Sequence, residues 1–600
     1  MKHIINEGGL DYMDTREAIK KIYDDRKDFL IIGLTGRTGS GCSTVASILK
    51  KGKFEVLDLK APKKYDFNDS EERKYSILYE YARADNWSAF HVIEMRNIIA
   101  SFIYEKGFKM FIECLKNINK FDKGVEEIRD LSNLIENISE LEDIFNQVST
   151  DIKELTEDED EDEDEEKIVK LYQQSIVSLT AKLKDILQNY YCYHNGTESQ
   201  LYTYLFQKIG NNLRASGEPY ESEFIPNRFF TLAERTNYLI KVIRRNKKGK
   251  CCNFFCIDAI RNPYEAIFFK DRYSAFYLLS VNTDDIMRRR RLADLKVNHI
   301  ESLDEIEYPK KLDKEQKFYS QNIKACLEIT DIHIYNPNID KHKYYFLTEQ
   351  LLKYVVLMMH PGLITPTHLE RCMQIAYNAK LNSGCLSRQV GAVVTGDDYS
   401  IKAVGWNEVA KGQVSCSLRD VRQFCDNQDL QSYSHYELTD EEFFKYMKEI
   451  CNTIKYDELG GRFYPYCFKD VYNEIKNKDN QVYTRALHAE ENAFLQITKY
   501  GGVGVNGGFL FTTASPCELC AKKAYQLGIK KIFYIDPYPG ISETHILKFG
   551  SENNPELQLF YGAIGNAYIS LYTQRISYKD ELAMVAGTNP EIIIKKCKNN

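Results

Sequence analysis

The patterned part of the chain begins at "FLIIGLTG" (Phe29 to Gly36), a short apolar run that enters a glycine-rich loop. "STVASILKKG" follows with apolar positions at helical spacing and stops at a glycine, so the segment reads as strand, loop, helix. Farther along, "WSAFHVIEMRNIIASFIYEKGFKMFIECLKNI" and "LSNLIENISELEDIFNQV" repeat apolar residues every three or four positions and predict helices. Strand-like runs return at "CCNFFCIDAI" (Cys251 to Ile260) and "AFYLLSVN" (Ala275 to Asn282). Apolar strands that alternate with helices predict a parallel sheet with helices packed on it, hence an α/β domain.

A second pattern starts after "TDIHIYNPN" (Thr330 to Asn338) and a helix through "YYFLTEQLLKYVVLMMHPG", where Pro361, Gly362 and Pro366 punctuate the chain. "QVGAVVT" and "IKAVGWN" flank the turn "GDDYS" as two paired strands. "GGFLFTTA" and "KKIFYI" then frame a helix in a β-α-β arrangement. The expected organisation is one domain over 25–355, a second over 361–578, and a C-terminal tail over 579–600. Within the first domain, "EDEDEDEDEE" (Glu157 to Glu166) repels itself and has no apolar area to bury, which predicts a solvated, mobile loop.

Composition narrows the function classes. Six hundred residues exceed what one core usually supports, in keeping with two large domains. With 43% hydrophobic and 28% charged residues, the chain can bury sizeable cores and stay dissolved. The net charge of -7 owes much to the acidic run, which argues against long duplex DNA as partner and against a polybasic membrane signal. The N-terminus lacks the apolar core of a signal peptide, and no stretch approaches the roughly 18 apolar residues of a membrane span. A cytoplasmic protein without membrane contact is expected. Its 16 cysteines then read as buried thiols and metal ligands rather than as a disulfide framework.

Two short stretches carry chemistry together: "TRALHAEENAFL" (Thr484 to Leu495) and "SPCELCAKKAYQLG" (Ser515 to Gly528). His488, Cys517 and Cys520 supply the imidazole and thiolate donors that zinc takes in tetrahedral sites, and three protein ligands leave a fourth position for water. Cys517 and Cys520 fall at the start of a helix, where the positive end of the dipole favours thiolate. Glu490, two residues after the histidine, falls on another side of its helix turn and can serve as proton carrier without binding the metal. Glu491 is the rival carboxylate, disfavoured by spacing. H-x-E followed by P-C-x-x-C is the zinc-deaminase signature, in which water activated by zinc attacks C4 of cytosine.

The region from about 361 to 578 resembles the deoxycytidylate deaminases, since it also holds "SRQVGAVV" (Ser387 to Val394) and "GWNE" (Gly405 to Glu408). The resemblance implies a three-layer α/β/α cytidine-deaminase-like fold, contact of Asn407 with sugar or base, and contact of Arg388 with phosphate. A solvated surface position is the competing reading for Arg388. Between Asn407 and His488, some eighty residues contain Cys416, Cys425, His435, Cys451 and Cys467; buried thiols are expected there rather than the second, structural zinc of some similar deaminases.

Near the N-terminus, "GRTGSGCST" (Gly36 to Thr44) fits G-x-x-x-x-G-K-[ST] except that Cys42 stands where the lysine belongs. Gly36, Gly39 and Gly41 let backbone N–H groups cradle phosphates, Thr44 continues the helix start, and Ser43 is placed to reach Mg²⁺. Without the lysine, nucleotide binding is expected to survive and phosphoryl transfer to weaken. Asp258, ending a buried strand, suits the second Mg²⁺-binding position, and "RRRR" (Arg288 to Arg291) reads either as a phosphate clamp or as a solvated helix face. The region resembles P-loop nucleotide kinases such as dephospho-coenzyme A kinase.

A kinase-like P-loop domain ahead of a deoxycytidylate deaminase, with a lysine-free loop, resembles the bacterial anti-phage deoxycytidine nucleotide deaminases. That resemblance implies conversion of dCTP and dCMP to uracil nucleotides during infection, a regulatory nucleotide, in some cases an inhibitory RNA, and a homo-oligomer. Two other classes compete. An RNA or single-stranded DNA cytidine deaminase would need a basic, aromatic-lined channel. A nucleotide-sensing binding protein with an inert deaminase fold is disfavoured by the intact Glu490.

Overall fold

In the computed structural model, residues 5–599 are described except 63–68, 123, 158–163, 195–196, 247–252, 295–299, 310–311, 338–344, 479, 503, 537–540 and 549–551. The chain divides into two compact units, one of residues 1–365 with 569–600 and the other of residues 366–568. The break falls between Thr365 and Pro366, a few residues past the expected boundary. Residues 569–600 group with the first unit instead of closing the second and trailing off as a tail. The reason is polar as well as apolar: buried Glu581 accepts from Tyr23 Oη at 3.0 Å and lies 2.7 Å from His360 Nε2.

The first unit is built on parallel strands: β1 (Phe29–Thr35) runs into the glycine loop and α1 (Cys42–Leu49), and is joined by β2 (His91–Glu94), β3 (Asn253–Asp258), β4 (Phe276–Asn282) and β5 (Ile332–Tyr335). Their order is β5-β4-β1-β3-β2, with every neighbour parallel. β1 and β4 are buried almost throughout, as strands covered on both faces must be. β2 corrects the helical reading of its segment: His91–Glu94 pairs with β3, and the helix begins only at Met95. The ends of the acidic run are helical, since Glu157 closes Glu142–Glu157 and Asp164 opens Asp164–Lys170. Residues 158–163, the middle of the expected loop, lie outside the described residues, as do 251–252 and 338 of the predicted strand segments.

The second unit is a mixed sheet between helices. Its elements in chain order are α2 (His368–Lys380), β6 (Gly391–Thr395), β7 (Ile401–Trp406), α3 (Ala489–Tyr500), β8 (Phe509–Ala514), α4 (Glu518–Gln526), β9 (Lys531–Asp536) and β10 (Glu556–Leu559). The strands lie in the order β7-β6-β8-β9-β10: β6 is antiparallel to β7 and β8, while β8, β9 and β10 are parallel. Apolar residues on one sheet face pack with Ala489, Ala493, Ala521 and Ala524 of α3 and α4, and on the other with Cys372, Met373 and Ala376 of α2. Thr367 caps α2 reciprocally with Glu370, which fixes where this unit begins. The eighty-residue insertion between β7 and α3 has a small core of its own around Phe424, Phe443 and Tyr466. Among the described residues no helix is long and apolar enough to cross a membrane.

Candidate active site

Two helix starts face each other across the end of β8. His488 is the N-cap residue of α3 and Cys517 that of α4. α3 can approach this closely because β7 carries Gly405, where an added Cβ would fall 2.2 Å from the carbonyl oxygen of Ala489. Asn492 Nδ2 donates to the Trp406 carbonyl at 2.8 Å, and Glu408–Val409 pairs with Ala486–Leu487, so the G-W-N-E turn is strapped beside His488.

His488 Nδ1 lies 3.3 Å from Cys517 Sγ and 3.4 Å from Cys520 Sγ, and the three donor atoms fall within 4.8 Å of one another. Among the described residues this is the one cluster of histidine, cysteine and carboxylate side chains able to hold a metal. One nitrogen and two sulfurs converging in this way fit Zn²⁺. Hydrogen bonding from Cys520 and from His488 pulls the Cys517 thiol down to about 4, while its bond to Cys517, together with burial, drives Cys520 up. Of the insertion's cysteines, Cys416 is buried and Cys425, Cys451 and Cys467 are half-buried, and none belongs to a metal-capable group among the described residues.

Glu490 is buried beside these donors; burial pushes its carboxyl upward, and Thr512 Oγ1 donates to Oε1 at 3.3 Å. Glu491 instead pairs with Lys523, which removes the rival carboxylate from the site. A pocket of about 120 Å³ opens onto His488, Glu490 and Cys517, with Arg388 and Asn407 on its wall. Arg388 is neither free nor simply solvated: it forms an ion pair with buried Asp536 at the end of β9. The Asn407 amide spans the irregular segment that leads into β6, donating to the Arg388 carbonyl and accepting from the Val390 N–H, each at 2.7 Å. Sequence reasoning missed Lys469, which lines the same pocket from the insertion, pairs with Asp470 at 3.0 Å and has a largely buried side chain. No motif marks it.

In the first unit, Gly36, Gly39 and Gly41 take positive φ values of 153, 87 and 112°, and Gly41 is the N-cap of α1. At Gly41 a Cβ would meet Asn336 Nδ2 at 2.3 Å, so the position demands glycine on both conformational and steric grounds. Cys42 points inward, and burial pushes its thiol up to about 12. Ser43 is exposed and donates from Oγ to Asp258 Oδ2 at 2.9 Å, while Thr44 sits half-buried in the same helical turn. The arginine run is a solvated face over only half its length: Arg289 and Arg290 are exposed, Arg289 pairing with Asp285 and Glu301, whereas Arg288 is buried and binds the Thr38 carbonyl at 2.8 Å and Arg291 holds the Gly39 and Ser40 carbonyls at 3.2 and 3.0 Å. Arg288 and Arg291 brace the loop through its carbonyl groups.

Comparison with known proteins bears on the second unit. Residues 366–536 match the family model "Cytidine and deoxycytidylate deaminase zinc-binding region". ComE operon protein 2 of Bacillus subtilis (strain 168) is 43% identical over 54 residues, which are 9% of this chain and 28% of that protein. Deoxycytidylate deaminase of Enterobacteria phage T4 is 28% identical over 180 residues, which are 28% of this chain and 76% of that protein. The crystal structure of dCMP deaminase from the cyanophage S-TIM5 in complex with dCMP and dUMP shares 23% identity, covering 33% of this chain and 99% of that one, with a TM-score of 0.20. The chain thus carries a deaminase domain in its second unit, with similarity to phage deoxycytidylate deaminases.

Proposed function

We propose that the chain is a zinc-dependent deaminase of free deoxycytidine nucleotides, converting dCTP and dCMP to dUTP and dUMP, and that its N-terminal unit regulates this reaction by binding a nucleotide. The observation that carries the reading is the convergence of His488, Cys517 and Cys520 beside a buried Glu490 at the floor of one pocket. Zinc held by those three residues supplies the Lewis acidity that makes water a nucleophile at neutral pH. Glu490 moves the protons: it takes one from the attacking water and gives it to the pyrimidine ring nitrogen, then takes the proton remaining on the new C4 hydroxyl and gives it to the C4 amino group, which departs as ammonia. Its burial and raised carboxyl suit a group that must be both base and acid near neutrality.

Arg388 and Lys469 stand at the pocket as the cations that recognise the substrate's phosphate, which favours a nucleotide over a nucleoside. In the first unit, the Ser43 to Asp258 hydrogen bond beside the glycine loop supports a nucleotide with Mg²⁺, and Cys42 in place of lysine supports sensing over phosphoryl transfer. The resemblance to anti-phage deaminases extends the proposal to depletion of the deoxycytidine nucleotide pool in a homo-oligomer restrained by nucleotide or by RNA.

Glu490→Ala tests the catalytic assignment. Deamination of dCMP is expected to fall at least about 10²- to 10⁴-fold, the range of general acid-base catalysis, with bound zinc unchanged by elemental analysis. Zinc lost together with activity would make Glu490 a ligand instead.

A further inference from the structure

The loop that lacks its lysine has a cation at its mouth from another part of the chain. The Thr38 N–H donates to both carboxylate oxygens of Glu307, at 3.1 and 3.0 Å, and Thr38 Oγ1 donates to the same carboxylate. Glu307 is fully buried, and its ion-pair partner is Arg261. Arg261 follows Asp258 by three residues, at the carboxyl end of β3, and lies close enough to Cys42 and Asp258 to act electrostatically on both. Thr38, Ser43, Asp258 and Arg261 all line one cleft of about 230 Å³, which Glu94 and Arg96 also reach. A carboxylate therefore sits on a backbone N–H of the glycine loop, the kind of donor that such loops offer to phosphate oxygens.

We propose that Arg261 is the phosphate-binding cation of this P-loop in place of the missing lysine, and that Glu307 is a built-in anion which the phosphates of a nucleoside triphosphate with its divalent cation must displace. This rests on the reading of the N-terminal unit as a nucleotide site and deepens it. A guanidinium presents a planar fork of donors that suits phosphate as well as carboxylate, so Arg261 can exchange one partner for the other without moving far. Two anions cannot share the Thr38 amide. The displaced group belongs to helix Ile300–Glu307, which also holds the loop through Asp304, paired with Arg37 at 2.6 Å and with buried Arg288. Nucleotide binding thereby loosens a helix that clamps the loop in its absence.

Calorimetric titration of the full-length protein with Mg·ATP, Mg·GTP and Mg·dTTP, none of which carries cytosine, tests this. Wild type binds at least one of them, Arg261→Ala weakens that binding tenfold or more, and Glu307→Gln tightens it severalfold. Adding Cys42→Lys to Arg261→Ala restores affinity, because a lysine at its usual place supplies the lost charge. Should Arg261→Ala misfold through the stranded Glu307, Arg261→Ala with Glu307→Gln removes both partners; a normal thermal melt with weak binding, recovered by Cys42→Lys, supports the assignment. Binding unchanged in a folded Arg261 variant, or no gain from Glu307→Gln, overturns it while leaving the nucleotide site standing. A wild-type protein that binds none of the three overturns both.

Discussion

The two candidate sites stand at the same kind of place in the fold, the turn from a sheet strand into a helix, and are completed in opposite ways. At the turn from β8 to α4 the chain supplies Cys517 and Cys520 itself and needs only His488 and Glu490 from one neighbouring helix. At the turn from β1 to α1 it supplies the glycines and Ser43, but the charge comes from afar: Arg261 follows β3, Glu307 ends a helix, and Arg288 and Arg291 brace the loop. A site whose chemistry is local tolerates little change. One assembled from distant elements can be altered by moving any of them, which suits regulation better than catalysis.

Lys469→Ala sharpens this contrast most, because it asks whether the deaminase pocket also depends on a distant contributor. A charge-assisted hydrogen bond to phosphate is worth about 2 kcal/mol, so KM for dCMP is expected to rise about tenfold or more while kcat holds. Steady-state kinetics on dCMP and on deoxycytidine check it; equal losses on both would show that Lys469 does not read phosphate.

An indirect effect, on the stability of the insertion that carries Lys469, is expected from Glu437→Gln. Arg419 and Glu437 are both fully buried in the insertion and paired, and Tyr466, three residues before Lys469, donates to Glu437 at 2.7 Å. Burial alone would raise the Glu437 carboxyl, but Arg419, the Ser434 N–H and Tyr466 outweigh it and hold it below the usual value. A lowered folded pKa stabilises above the ordinary glutamate value of about 4.3, and that stabilisation disappears as pH falls through the lowered one. The insertion should therefore loosen in acid below about pH 4. Glu437→Gln should mimic this at neutral pH at a cost of about 3–5 kcal/mol, the penalty for stranding a buried partner. Hydrogen exchange over 416–475 reads both effects; protection unchanged at low pH and in the variant would contradict them.

The difference between the sites also decides what the sequence could reveal. His488, Glu490, Cys517 and Cys520 lie within two short stretches, so their spacing alone states their chemistry. Lys469 lies in an insertion with no motif, and only the packing around Tyr466 and Phe468 decides which of its side chains reaches the pocket. His91–Glu94 hides in a helical pattern because a four-residue strand is too short to show its own period, and pairing with β3 overrides local preference. The fate of 569–600 depends on Glu581 finding Tyr23 and His360, partners hundreds of residues away that periodicity does not register. Arg261 had a faint signal, since residues just past the carboxyl ends of parallel strands often meet ligands.

The central claim, deamination of free deoxycytidine nucleotides, is tested most directly by incubating the zinc-loaded protein with dCMP, dCTP, CTP, deoxycytidine and a cytosine-containing oligonucleotide, and separating the uracil products by chromatography. Turnover of dCMP or dCTP with the oligonucleotide untouched is the predicted result. Deamination of the oligonucleotide, or of none of the five, would contradict the account.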